Sequence, residues 1–198
     1  MTRLAGCYAD ARTIMAETGC AEVARLTEGL PDMLTGNDQP ARQVPVARYL
    51  PELSRLADDS TRALIETFAA IPDLAWNQTY TAEDFGAAFL QNYGWVELLG
   101  PYGPAPSRTH RLAILLFGPE THYPAHAHGP EEIYIPLAGE IDWQLGGTTR
   151  RMRPGAVLHH APWQPHGLAT SKTPAALLAL WRGTDLAAKS TILEEALP

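Results

Sequence analysis

The chain has 198 residues, 45% of them hydrophobic and 19% charged, which suits one domain with a sizeable core and room for a helical extension. A net charge of −7 and an isoelectric point near 5.4 argue against a nucleic-acid partner, which demands a basic patch. No apolar run approaches the roughly 18 residues needed to span a membrane.

The first residues carry Asp10 and Glu17 and no continuous apolar segment, so they do not read as a signal peptide. Cys7 and Cys20 are too few for a disulfide framework and fit no zinc spacing. They read as thiols of a reducing compartment, and the expected location is the cytoplasm. Residues 1–92 read as an α-helical N-terminal region. Leu4, Tyr8, Ala11 and Met15 recur at helical spacing, as do Val23, Leu26 and Leu30. Thr35 to Pro45 is a loop, because Gly, Asn, Asp and Pro cluster there. Leu50 and Leu53 begin a short helix. The clearest helix runs from about Ser60 to Ile71, with Leu64, Phe68 and Ile71 on one stripe and Pro72 ending it. Thr81 and Asp84 form a capping pair for a further helix carrying Phe85 and Phe89. The glycosylation sequon Asn77-Gln78-Thr79 is read as chance in the absence of a secretory signal.

From Trp95 the period changes to that of strands. Trp95–Leu99, Arg111–Phe117, Glu132–Leu137, Glu140–Leu145, Ala156–His160 and Ala175–Trp181 are short strand candidates separated by Gly/Pro turns. Residues 93–198 are therefore expected to form a sandwich or barrel, with a last short helix after Arg182.

All seven histidines fall between His110 and His166. The run from Gly118 to Gly139 holds His126, His128, Glu132 and Tyr134, all at even positions, and an extended strand would turn them to one face. A second block carries Pro154-Gly155 and then Pro162-x3-His166-Gly167. Together the two blocks resemble the paired motifs of the cupin superfamily. That resemblance implies a mainly β fold, a cupin double-stranded β-helix or jelly-roll barrel preceded by the helical region. It draws His126, His128 and Glu132 from the first motif and His166 from the second. The first motif departs by having seven residues between Gly118 and His126, and the second lacks the asparagine often found after its histidine. Three imidazoles and a carboxylate suit one divalent transition metal ion, Zn, Fe, Mn, Co or Ni. His122 is as readily a surface group as a further ligand. His159 and His160 alternate across a strand, so at most one faces inward, and both are read as structural.

Tyr134 lies two residues beyond Glu132, on the same face. A free phenol has a pKa of about 10, and a neighbouring cation would lower it far enough for a tyrosinate base. On spacing alone a barrel tyrosine is more often a core residue with a satisfied hydroxyl. The helical N-terminal half followed by HYPAHAHGPEEIYIPLAGEIDW and PWQPHG is similar to the bacterial cupin-type dimethylsulfoniopropionate lyases, the Q-type members in particular. That resemblance implies metal ligands at His126, His128, Glu132 and His166, a catalytic tyrosine at Tyr134 and a second pocket tyrosine at Tyr123. It also implies a tryptophan on the last strand at Trp181. Tyr123, Trp163 and Trp181 are the aromatic candidates for the substrate's sulfonium group, and the N-terminal helices are expected to cover the barrel mouth. The implied reaction is β-elimination to dimethyl sulfide and acrylate. The expected partner is this small-molecule substrate, and the sequence leaves a homodimer open. Other readings of the same metal shell are an iron-dependent dioxygenase acting on a small acid or thiol, a sugar isomerase, or a cupin that binds a ligand without turning it over.

Overall fold

The computed structural model describes residues 2–193. Five α-helices come first: α1 (Ala5–Glu17), α2 (Ala21–Leu26), α3 (Leu50–Leu56), α4 (Arg62–Ala69) and α5 (Ala82–Gln91), with a 3₁₀ turn at Pro45–Tyr49. Ten strands follow. β1 (Tyr93–Leu99), β2 (His110–Phe117), β4 (Glu131–Ala138), β7 (Leu158–His160) and β9 (Ala175–Arg182) make one antiparallel sheet in the order β1-β2-β9-β4-β7. β3 (His122–Ala127), β5 (Ile141–Leu145), β6 (Thr148–Met152), β8 (His166–Thr170) and β10 (Thr191–Ile192) make the other, in the order β10-β3-β8-β5-β6. The two sheets face each other as a jelly-roll barrel, the architecture the cupin resemblance implied.

The strands of the first sheet are apolar without a break because both of their faces are buried. On β2, Leu112, Ile114 and Leu116 point toward the helices, and Ala113, Leu115 and Phe117 point into the barrel. On β9, Leu178 and Leu180 face the helices, and Leu177 and Ala179 face the barrel interior. Helix α4 buries Leu64, Ile65 and Phe68 completely, within the same apolar core as Ile133, Ile135 and Leu137 of β4. Helices α1–α4 are thus a layer on the outside of this sheet, so of the N-terminal helices expected over the barrel mouth only α5 lies against the interior cluster. Their apolar stripes match the outer face of β1, β2, β9 and β4, and that is where burial gains most. The aromatic closure of the barrel comes instead from Tyr80 and from Phe85 and Phe89 of α5, which pack with the interior cluster. The Thr81–Asp84 capping box holds the start of α5, with Thr81 N donating to Asp84 Oδ2 at 2.7 Å.

The chain after Arg182 differs from the expected helix. Thr191 and Ile192 form β10, which pairs with Ala127 and His126 of β3, so backbone pairing with an open strand edge overrides local helix propensity. The remainder of that expectation falls on residues 194–198, outside the described residues. Strands β6 and β8 were not read from the sequence. β6 is mostly exposed and polar, and His166–Thr170 carries a single large apolar side chain, Leu168.

Candidate metal centre and active site

The run from His126 to Tyr134 is not one strand. β3 ends at Ala127 in one sheet, the chain turns at Gly129-Pro130, and β4 starts at Glu131 in the opposite sheet. His126 and His128 therefore meet Glu132 and Tyr134 across the barrel interior. The even spacing puts all four inside, but by crossing between sheets and not by lying along one face. Tyr123, at an odd position, also points inward, because the β3–β8 register shifts between Tyr123 and His126.

His126, His128 and His166 form one buried group of ligand-competent atoms, and Glu132, His160 and His166 form another, with all such atoms in each group within 4.8 Å of one another. His166 arrives from β8, where it pairs in register with His126. Each of the three histidines has Nδ1 against a main-chain carbonyl two residues away: Pro124 O at 2.9 Å, Pro130 O at 2.9 Å and Gln164 O at 2.8 Å respectively. A carbonyl only accepts, so these contacts put the proton on Nδ1 and leave Nε2 as the ligand nitrogen. Glu132 Oε2 lies 3.1 Å from His128 Nε2, 3.0 Å from His166 Nε2 and 3.1 Å from His160 Nδ1. Its Oε1 accepts a hydrogen bond from Trp181 Nε1. The Trp181 ring lies 4.1 Å from that of His128, tilted 30°.

The donor set fits a divalent cation. His166 Nε2 is buried and makes no aligned hydrogen bond, although it lies near Glu132. Buried polar atoms without partners are costly. Three neighbouring Nε2 atoms with a carboxylate beside them are satisfied by a positive ion better than by protons. Burial works to raise the Glu132 carboxyl, but the facing histidines, His128 above all, hold it well below the usual carboxylate range. Burial, then His166, pushes His126 down to about 3, so its ring is neutral at pH 7, as a metal ligand must be.

His160 departs from the sequence reading. It is fully buried and pairs in register with Glu132 across β4 and β7, so it belongs to this cluster and is not a remote structural histidine. The signal was present in the strand's alternation. Leu158 points into the barrel core, and His160, two residues on, shares its face. His159 points the other way and contacts Glu131 Oε1 at 2.6 Å. His122 is exposed, and His110 contacts Leu26 O at 3.1 Å, away from the cluster.

A cavity opens beside Glu132, lined by Tyr80, Tyr93, Tyr123, Tyr134, Trp95 and Trp181. Among the described residues that line it, Glu132 is the one anion and Arg111 the one cation. Tyr123 stacks on His126, with ring centroids 4.1 Å apart, and shares a 2.6 Å hydroxyl contact with Tyr80. Burial, then the Glu132 carboxylate, raises the Tyr134 phenol well above its ordinary value. Arg111 stacks 4.2 Å from the Trp95 ring and pairs with Glu97 Oε2 at 2.8 Å. Trp163 is a correction to the sequence expectation. Its side chain is 63% exposed and lies outside the cavity, because the turn after Pro162 places it at φ 61° over Gly129. What this segment gives the site is a main-chain bond, Trp163 N donating to His128 O at 2.7 Å. Tyr80, Tyr93, Trp95 and Arg111 were not read as site residues. They come from three separate segments, with Tyr93 and Trp95 both on β1, and share no motif, so only the closed barrel brings them together.

A family model described as dimethylsulfoniopropionate lyase matches residues 19–178. The chain is 32% identical over 156 residues to the dimethylsulfoniopropionate lyase DddQ of Ruegeria pomeroyi, covering 78% of each chain. The crystal structure of that protein aligns with a TM-score of 0.82 over 97% of this chain and 96% of that one, at 29% identity. A structure described for the dimethylsulfoniopropionate lyases RdDddP and RnDddQII aligns with a TM-score of 0.84, at 29% identity and 96% coverage of both chains. A putative dimethylsulfoniopropionate lyase, DddL, of Cereibacter sphaeroides is 30% identical over 153 residues, 75% of this chain and 64% of that one.

Proposed function

The chain belongs to the dimethylsulfoniopropionate lyase family, and from that premise we propose how its own residues carry out the cleavage of dimethylsulfoniopropionate to dimethyl sulfide and acrylate. The observation that carries the reading is the meeting of a ligand-competent His/Glu cluster with a buried tyrosine, Tyr134, at one aromatic-walled cavity. His126, His128, Glu132 and His166 would hold a divalent ion, and the ion would supply Lewis-acid stabilisation of the negative charge that develops at the substrate carboxylate.

Tyr134 in its ionised form takes the proton from the carbon next to the carboxylate. The electron pair of that C–H bond becomes the new C=C bond, the C–S bond breaks, and dimethyl sulfide leaves with the sulfur electron pair. Acrylate and one proton complete the balance. Because burial and Glu132 both act against ionisation of Tyr134, the tyrosinate requires a compensating positive charge close by, and the His/Glu cluster is where that charge is held. Tyr123 fixes the plane of His126 by stacking and is itself held by Tyr80. The faces of Tyr80, Tyr93 and Tyr123 suit a methylated sulfonium cation. Trp181 acts differently from the simple aromatic wall expected, since its N–H edge and one face are committed to Glu132 and His128. The surrounding aromatic rings keep bulk water from the carbanion-like centre.

The test uses the purified, metal-loaded protein and dimethylsulfoniopropionate, with dimethyl sulfide measured in the headspace. Product formed in proportion to bound metal is the expected result. No product at any pH up to and beyond 8, with metal confirmed bound, would overturn the reading.

A further inference from the structure

Two groups on β5 and β7 stand behind the cluster without belonging to the four expected ligands. Trp143 Nε1 donates to His160 Nε2 at 2.9 Å. An indole N–H only donates, so His160 Nε2 must carry a lone pair, and the ring's one proton must sit on Nδ1. The same bond is incompatible with a ring protonated on both nitrogens. Nδ1 in turn lies 3.1 Å from Glu132 Oε2, near the carboxylate but not aligned for a full hydrogen bond. The His160 ring is stacked on His166 at 3.8 Å and 14°, so it has little freedom to turn. Without that assignment His160 would be a fifth ligand, since its nitrogen belongs to the same tight group as Glu132 and His166.

We propose that Trp143 locks the tautomer of His160, which keeps a proton on the Nδ1 that faces Glu132 and denies the metal an additional imidazole, leaving a coordination position for substrate. His160 and Trp143 are then positioning residues, acting through Glu132. This rests on the reading of the cluster as a metal centre, though not on the identity of the substrate. Carboxylates that ligate metals are themselves held by hydrogen bonds, and losing such a partner costs about 10- to 100-fold in metal affinity.

The experiment reads the metal and the proton directly, without turnover. Cobalt(II) is titrated into the metal-free wild type, His160→Asn, Trp143→Phe and the Trp143→Phe/His160→Asn double variant, and the visible ligand-field spectrum and affinity are recorded. Long-range ¹H–¹⁵N correlation of the wild-type histidine rings is recorded alongside. The expected results are a protonated Nδ1 on His160 and a wild-type cobalt spectrum in His160→Asn, with affinity lower by about 10-fold or more. In Trp143→Phe the bands weaken as His160 joins the ion, and removing His160 in the double variant restores them. A proton on His160 Nε2 would overturn the proposal. So would loss of a ligand's signature in His160→Asn, or an unchanged spectrum in Trp143→Phe. His160→Asn leaves Trp143 in place, so it decides the question even if Trp143→Phe does not fold. A wild type that takes up no cobalt would instead refute the metal centre itself, and a cobalt-loaded protein inert toward dimethylsulfoniopropionate would refute only the lyase assignment.

Discussion

Tyr134 shows how a single side chain can be visible in the sequence while its chemistry is not. Its position two residues from Glu132 was enough to place it beside the cluster, but the balance of charges around its hydroxyl comes from the fold. Replacing it with Phe removes the proposed base and keeps the ring. Turnover is expected to fall by at least about 100-fold, with cobalt or zinc content unchanged by elemental analysis. If the tyrosinate is the base, kcat/KM climbs as pH rises, because the active form is the deprotonated one and the surroundings raise the phenol. Glu131, the neighbour of Glu132, faces outward and behaves in the opposite sense. The hydrogen bond from Arg25 is the largest effect on its carboxyl. Burial opposes it, His159 adds to it, and the carboxyl is held at about 2. A folded-state value below the unfolded one contributes stability above about pH 4.5 that is lost as pH falls toward 2. Arg25 is half exposed, and screening limits the contribution to about 1 kcal/mol. Urea unfolding of Glu131→Gln should therefore show a smaller drop in stability between pH 5 and pH 2.5 than the wild type.

Pairs of elements decide what single residues cannot. β1 and β2 are joined by Glu97 and Arg111 as well as by their ladder, and the β1 register shifts between Glu97 and Leu99. That irregularity lets Glu97 Oε1 accept the main-chain N–H groups of Tyr102 and Gly103, at 2.5 and 2.6 Å, while its other oxygen faces Arg111. Burial raises the Glu97 carboxyl, and the Arg111 charge and these N–H groups oppose it. Arg111→Met would strand a buried carboxylate and should lower stability by about 3 kcal/mol in denaturant titration. Adding Glu97→Gln should recover much of that loss, since the uncompensated charge is gone. At the end of β4, Gly139 adopts φ 72°, and a Cβ there would lie 2.2 Å from Pro174 O. The turn that leads from β4, which carries Glu132 and Tyr134, to β5 in the opposite sheet therefore requires a glycine. Elements of strong period were legible: α4, β2, β4 and β9 lie within a few residues of their expected positions. β6, β8 and β10 were not, because short polar strands hold their place by pairing with neighbours and not by their own composition.

At the scale of the whole molecule, helices, sheet and site form one stack. The helical layer buries the outer face of the β1-β2-β9-β4-β7 sheet, and the inner face of the same sheet carries Glu132, Tyr134 and Trp181. A cation bound to the folded cluster stabilises the entire chain, because the unfolded chain has no such site. With free metal at about 100 times its Kd the gain is about 2.7 kcal/mol. A chelator should accordingly lower the melting temperature of the loaded protein, and His166→Ala, which removes the proposed ligand from β8, should abolish that difference in a thermal scan.

By itself the sequence determined the class of the protein: the β-rich C-terminal half, the ligand-competent residues His126, His128, Glu132 and His166, and the tyrosine beside them. Residue chemistry and short-range spacing are carried by neighbours along the chain, and they need no fold to be read. Only the tertiary structure decided which groups share a wall. It brought His160 into the cluster, put Trp163 outside the cavity, laid the helices on the back of a sheet and closed the cavity with Tyr80, Tyr93, Trp95 and Arg111. Those are contacts between distant segments, set by which faces the two sheets bury against each other. In the run from Gly118 to Gly139, too, the even spacing that looked like one strand's face was two strands on opposite sheets, because the buried interior of a barrel is shared by both.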